Sequence, residues 1–139
     1  MTEIPAFATI SETFSLLTDW EDKYAYLIDL GRKLPAYPDD KMDAAHEVPG
    51  CLSKVWMDYH WYDDRLVMRL TSNAEIVKGL LAVLMSLYDG QLPDAIVAQD
   101  STARFADLGL ESKMTQNRRD GFVAVSNRIR LLAHAQLEN

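Results

Sequence analysis

The stretch from Ala74 to Tyr88 limits the fold more than any other part of the chain. Ile76, Val77, Leu80, Leu81, Val83, Leu84, Met85 and Leu87 put apolar side chains on nearly every side of a helix. Such a helix has no face to give to water, so it belongs at the centre of a domain with other elements laid around it. Ser72-Asn73 supplies capping side chains before it, and Asp89-Gly90 supplies a stop after it, glycine being suited to the left-handed position beyond a helix end.

The cover must come from the flanking segments. Phe7, Ile10, Phe14 and Leu17 recur at three- and four-residue steps, one face of a first helix. Thr18 and Glu21 have capping-box spacing and predict the start of a second helix, with Trp20, Tyr24, Leu27 and Leu34 on one face and Pro35 as its end. After position 51 the period changes to two. Val55, Met57, Tyr59 and Trp61 alternate with Lys54, Trp56, Asp58, His60 and Tyr62, and Leu66, Met68 and Leu70 alternate with Val67, Arg69 and Thr71. With Asp63-Asp64 between them, these runs predict an antiparallel hairpin, to which Glu47-Val48 is expected to add a short third edge. Leu92-Pro93-Asp94 opens a short helix through Ala98. A last helix from about Gln116 to Gln136 carries Phe122, Val125, Ile129 and Leu132 inward. The expected fold is α+β, a small antiparallel sheet of two to three strands with helices packed on one face, formed by residues 1–139 as a single domain.

Charge and composition narrow the function. Against 21 acidic residues the chain has 14 Lys and Arg, a net charge of −7, so a phosphate-binding surface for nucleic acid is not expected. No apolar run reaches the roughly 18–20 residues of a membrane helix. Met1-Thr2-Glu3-Ile4-Pro5 carries no basic stretch, so no secretory leader is expected. One cysteine permits no internal disulfide, and the expected compartment is a reducing cytoplasm.

Pro35 to Gly50 is aperiodic, with Pro35, Pro38 and Pro49, and is long for a loop unless it has a function. Cys51 follows it. The residues alone leave two readings, a reactive thiol presented by a loop or a small buried hydrophobe. His46 stands five positions before Cys51, so a Cys–His nucleophile pair is a second functional possibility. Asp39-Asp40 and Asp63-Asp64 read as solvated turn acids. No two of the three histidines have metal-ligand spacing, and no metal is expected. Arg118-Arg119, near the start of a helix, oppose the helix dipole and point to an anion or carboxylate partner.

Gly50-Cys51-Leu52-Ser53-Lys54-Val55-Trp56 resembles the core motif of the SufE family, Gly-Cys-x-Ser-x-Val-Trp. Further stretches match in the same order: Trp20-Glu21-Asp22-Lys23-Tyr24, Leu30-Gly31-Arg32-Lys33-Leu34-Pro35, Ile76-Val77-Lys78-Gly79-Leu80, and Thr115-x-x-Arg118-x-x-Gly121. Leu52 stands where Gln is frequent, Gln116 where Pro is common, and Asp120-Gly121-Phe122 where Asn-Gly-Leu or Gln-Gly-Leu is typical; these departures bear on partner preference. The resemblance implies an α+β sulfur acceptor. It implies that Cys51 takes persulfide sulfur from a cysteine desulfurase of the SufS or CsdA kind, stimulates that enzyme, and passes sulfur toward an iron–sulfur scaffold. Pyridoxal phosphate would reside on the desulfurase, with no cofactor on this chain. Gly50, Ser53 and Arg118 are implied to support the thiol, and His46, Leu52 and Lys54 to meet the partner. The loop before Cys51 is expected to move on docking. The alternative is a self-sufficient thiol enzyme built on Cys51 and His46.

Overall fold

The computed structural model describes residues 3–50, 53–110 and 114–139. Its elements run α1 (Phe7–Leu16), α2 (Trp20–Gly31), two 3-10 turns (Asp39–Lys41 and Ala44–His46), β1 (Val55–Tyr62), β2 (Arg65–Ser72), α3 (Glu75–Tyr88), α4 (Pro93–Ala98), α5 (Ser101–Asp107) and α6 (Gln116–Leu137). The fold is α+β.

Helix α3 is the hub. It touches α1, α2, α6 and β2, and ten of its residues are buried, among them Leu80, Leu81, Val83, Leu84 and Tyr88. Its contact with α2 is unusually close. A Cβ added at Gly31 would lie 2.7 Å from the Gly79 nitrogen, and one added at Gly79 would overlap the Leu27 carbonyl. The two helices meet backbone to backbone, which only residues without a side chain allow.

The β1–β2 hairpin pairs from Val55↔Ser72 to Tyr62↔Arg65. Val55, Met57, Leu66, Met68 and Leu70 face the core. Asp63 (φ 51°) and Asp64 (φ 61°) both take the left-handed conformation, so the two-residue turn has the hand that matches strand twist. The expected third edge is a single bridge, Glu47↔Trp56, with the Val48 amide donating to the Val55 carbonyl at 2.8 Å.

Three local expectations need correction. Helix α2 begins at Trp20 with Asp19 at the cap, and no side chain there accepts a hydrogen bond, so the Thr18/Glu21 pair makes no capping box. It also ends at Gly31, short of Pro35: beyond it the Lys33 and Leu34 amides turn to the Leu30 and Gly31 carbonyls, tightening the last turn to the 3-10 pattern. Finally, α5 had no counterpart in the sequence pattern: it has seven residues, two of them buried, and is held by Asp100, whose carboxylate accepts from the Ala103 amide. Ser72 contributes ahead of α3, but by accepting from the Ala74 amide at 3.2 Å while its hydroxyl donates to the Lys54 carbonyl at 2.7 Å. Among the described residues no helix is long and apolar enough to cross a membrane.

Asp89, just past α3, accepts a hydrogen bond from the Met68 amide at 3.0 Å. Burial raises its pKa, opposed by that hydrogen bond and by Arg69. The folded state thus binds this proton more tightly than the unfolded chain does. The carboxyl contributes most below its unfolded pKa, and the contribution is lost as pH rises through the folded value. Asp89→Asn keeps the acceptor and removes the charge. It is expected to raise Tm at pH 7 by roughly 2 °C, a small effect because solvent still screens the site, with the two melting curves converging in acid.

Candidate functional site

Cys51 and Leu52 lie outside the described residues, and the site is built from what flanks them. The Val48–Val55 hydrogen bond and the Glu47↔Trp56 bridge pinch the base of a loop whose tip contains Cys51 in sequence. On one side of the tip Gly50 has φ +87°, a conformation that side chains disfavour, and its Cβ position would lie 3.4 Å from the Ala124 methyl of α6. On the other side Ser53 is half-buried, and the exposed Lys54 gives its carbonyl to Ser72 Oγ and to the Asn73 amide.

Ser53 opens onto a cavity of about 250 Å³ between β1, α3 and α6. Val55, Val77, Leu80, Leu81, Leu84, Phe122 and Val125 form its apolar walls, and Thr115, Asn117 and Arg118 its polar rim. Thr115 caps α6, its hydroxyl accepting from the Arg118 amide at 3.3 Å. The fold therefore brings Ser53 and Arg118 to one cavity, while Gly50 leaves room beside Ala124 of the helix that carries Arg118. Chemically this is an apolar recess with a cation at its mouth, next to the loop that holds the chain's one thiol.

His46 belongs to a separate cluster on the outer side of the loop. Its Nδ1 lies 2.6 Å from Asp43 Oδ1, and its Nε2 lies 4.0 Å from Asp58 Oδ1. The hydrogen bond from His46 holds the Asp43 carboxyl below the usual carboxylate range. Lys41 Nζ reaches the other Asp58 oxygen at 3.1 Å, and Tyr37 donates to the Lys41 carbonyl at 3.0 Å. Burial, and then the negative charges of Asp58 and Asp43, push the Tyr37 phenol up to about 12, so it remains a donor throughout the physiological range. Asp43 and Asp58 were not singled out by sequence. Asp58 sits at a polar strand position, and nothing in the spacing links it to Lys41 or His46. Among the described residues no group of three or more His, Cys, Asp and Glu converges as a metal requires.

The SufE family profile, described as Fe-S metabolism associated domain, matches residues 8–133. The sulfur acceptor protein CsdE of Escherichia coli (strain K12) is 39% identical over 129 residues, covering 87% of this chain and 83% of that protein. An uncharacterized SufE-like protein of Rhizobium meliloti (strain 1021) is 33% identical over 132 residues, covering 92% of this chain and 94% of that one. Among solved structures, the solution structure of a hypothetical protein from Thermus thermophilus covers 96% of each chain with a TM-score of 0.76 at 19% identity, a likeness of fold.

Proposed function

Because the chain belongs to the SufE family, we propose that it is a sulfur acceptor for a cysteine desulfurase, with Cys51 as the accepting thiol. The observation that carries this reading is the placement of the residues beside Cys51: Gly50 in a left-handed conformation on one side, and on the other Ser53 at the cavity that Arg118 also lines. The Cys51 thiolate attacks the outer sulfur of the desulfurase persulfide. A new S–S bond forms on Cys51 while the old one breaks, and the desulfurase thiolate leaves; nothing is oxidised or reduced overall. Rate then follows thiolate fraction and access, as in thiol–disulfide exchange. The chain has a single cysteine, so no internal thiol can displace the carried sulfur and release it early. Removing sulfur from its enzyme this way frees the desulfurase for another turnover, and the natural recipient is an iron–sulfur scaffold. The pyridoxal phosphate chemistry belongs to the desulfurase. His46, Leu52 and Lys54 face the partner in this reading, and what shifts on docking is the part of the loop beyond the base that Val48 and Val55 close.

Incubation with a cysteine desulfurase, pyridoxal phosphate and L-cysteine, without reductant, is expected to raise the intact mass by one sulfur atom, removable with a thiol reductant. An unchanged mass with every desulfurase tried overturns the proposal. Arg118→Ala is expected to slow uptake roughly threefold with Tm unchanged, the net of a one-unit rise in thiol pKa, which cuts the thiolate fraction about tenfold and partly offsets this with a more nucleophilic sulfur; an unaltered rate removes the role given to Arg118.

The Asp43–His46 hydrogen bond favours a second reading, a thiol enzyme in which Asp43 orients His46 toward Cys51. The remaining ring nitrogen is turned to the Asp58 carboxylate, which supports it less well. This reading requires turnover of small thiol substrates without a desulfurase, abolished by His46→Ala.

A further inference from the structure

The cluster on the outer side of the loop has no part in the sulfur chemistry, yet it is built around one residue. Asp58 stands on β1 three positions beyond Val55, where the loop base closes. Its two oxygens face different parts of the segment leading into that base: Oδ2 takes Lys41 at 3.1 Å from the first 3-10 turn, and Oδ1 faces His46 at 4.0 Å from the second. Asp43 fastens His46 from within the segment, and Tyr37 fastens the Lys41 carbonyl. Arg69 is the cross-strand neighbour of Asp58, its guanidinium donating to the Met68 carbonyl, and Arg128 of α6 borders the same hollow as His46 and Asp58. The backbone bridge at Glu47 and Val48 continues the line of contact to the loop base. Lys41 and Val48 are thus docked along one strand, by an ion pair at one end and a backbone pair at the other, with His46 between them facing the same carboxylate.

We infer that Asp58 is a positioning residue for sulfur acceptance: it clasps the 41–48 segment to β1 and so fixes the base from which the Cys51 loop is presented to the desulfurase. The inference rests on the sulfur-acceptor reading. A loop fixed at its base loses less freedom on docking, so the clasp acts on partner affinity and leaves the chemical step alone.

Two measurements on Asp58→Ala, with Lys41→Met as a milder variant, test it. The first needs no partner. Hydrogen exchange at the Val48 amide, which closes the loop base, is expected to quicken about fivefold in Asp58→Ala, the scale of one favourable ion pair, and less in Lys41→Met. The second is the desulfurase assay. The concentration of this chain giving half-maximal stimulation is expected to rise about fivefold while the maximal rate holds. The charge-exchanged double variant Lys41→Asp/Asp58→Lys is expected to recover part of both effects, which loss of bulk alone would not allow. Unchanged Val48 exchange in both single variants overturns the clasp. Quickened exchange with an unchanged half-maximal concentration overturns the positioning role. If the wild-type chain takes up no sulfur, the acceptor reading fails and the positioning role with it, while the exchange result still decides whether the clasp exists.

Discussion

Cys51→Ser is expected to fold like the wild type and to accept no sulfur. In the desulfurase incubation its mass stays at the starting value, and the stimulation of cysteine turnover disappears. Serine replaces one atom and preserves backbone demands at the position after Gly50, whose left-handed conformation makes this turn costly to rebuild. What is lost is the nucleophile. A hydroxyl is almost wholly protonated at neutral pH, whereas a free thiol is a few per cent thiolate even before a cation such as Arg118 acts on it. The loss should therefore be complete within detection. With no second cysteine, no other thiol can substitute. A Cys51→Ser chain that still gains a sulfur atom would show acceptance elsewhere and end the assignment of Cys51.

The second large effect concerns the fold. Gly79→Ala is expected to lower stability by about 2 kcal/mol and Tm by roughly 6–10 °C, and Gly79→Val to leave little folded protein. In an ordinary helix interior, alanine for glycine gains about 1 kcal/mol of propensity. Here the added methyl would overlap the Leu27 carbonyl, a backbone group with no rotamer to move, so α2 and α3 must separate. Separation loosens packing around Leu27, Leu30, Leu80 and Leu81, all buried. Gly31→Ala strikes the same contact from the other helix, at 2.7 Å from the Gly79 nitrogen, and the double variant should cost less than the sum of the two. Leu131→Ala, at a position 65% exposed, serves as the neutral control. Thermal melts decide the matter: a Gly79→Ala chain that melts higher than wild type would mean that helix propensity outweighs the crossing.

That pair of glycines also marks how far sequence could be read. Leu30-Gly31-Arg32 and Ile76-Val77-Lys78-Gly79-Leu80 were recognisable as motif stretches, but only the structure shows that they are two sides of one contact. Helix α3 was legible as a long run apolar on nearly every side between capping and stop signals, the hairpin from its period of two, and Asp63-Asp64 adopted the turn its place between two alternating runs required. Helix α5 was not, since a seven-residue helix anchored chiefly by Ser101 and Phe105 shows no repeat long enough to detect. The Thr18/Glu21 spacing misled because a capping box also needs a helix that starts immediately after the Thr, and this one starts at Trp20. At the site, the motif placed Gly50, Ser53 and Arg118 on a list. That Ser53 and Arg118 line one cavity depends on how α6 packs on α3 beside β1, which no local pattern encodes. The Asp58 clasp was invisible for the same reason: each of its pairs joins residues whose proximity is decided by how the loop folds back on β1.

The covering of the hairpin has a consequence for the protein in concentrated solution. A two-stranded sheet exposes two edges of unsatisfied backbone, the usual template for strand-by-strand aggregation. Here the Gly90 amide donates to the Leu66 carbonyl, the Leu66 amide to the Gln91 carbonyl, and the Met68 amide to Asp89, so the chain beyond α3 occupies the outer edge of β2. The Glu47–Val48 bridge occupies the start of the β1 edge, and the rest of that edge carries Asp58 and His60. A strand from another copy would have to displace native hydrogen bonds on one side and bury charge on the other. A small sheet guarded in this way lets the protein reach high concentration without condensing on itself.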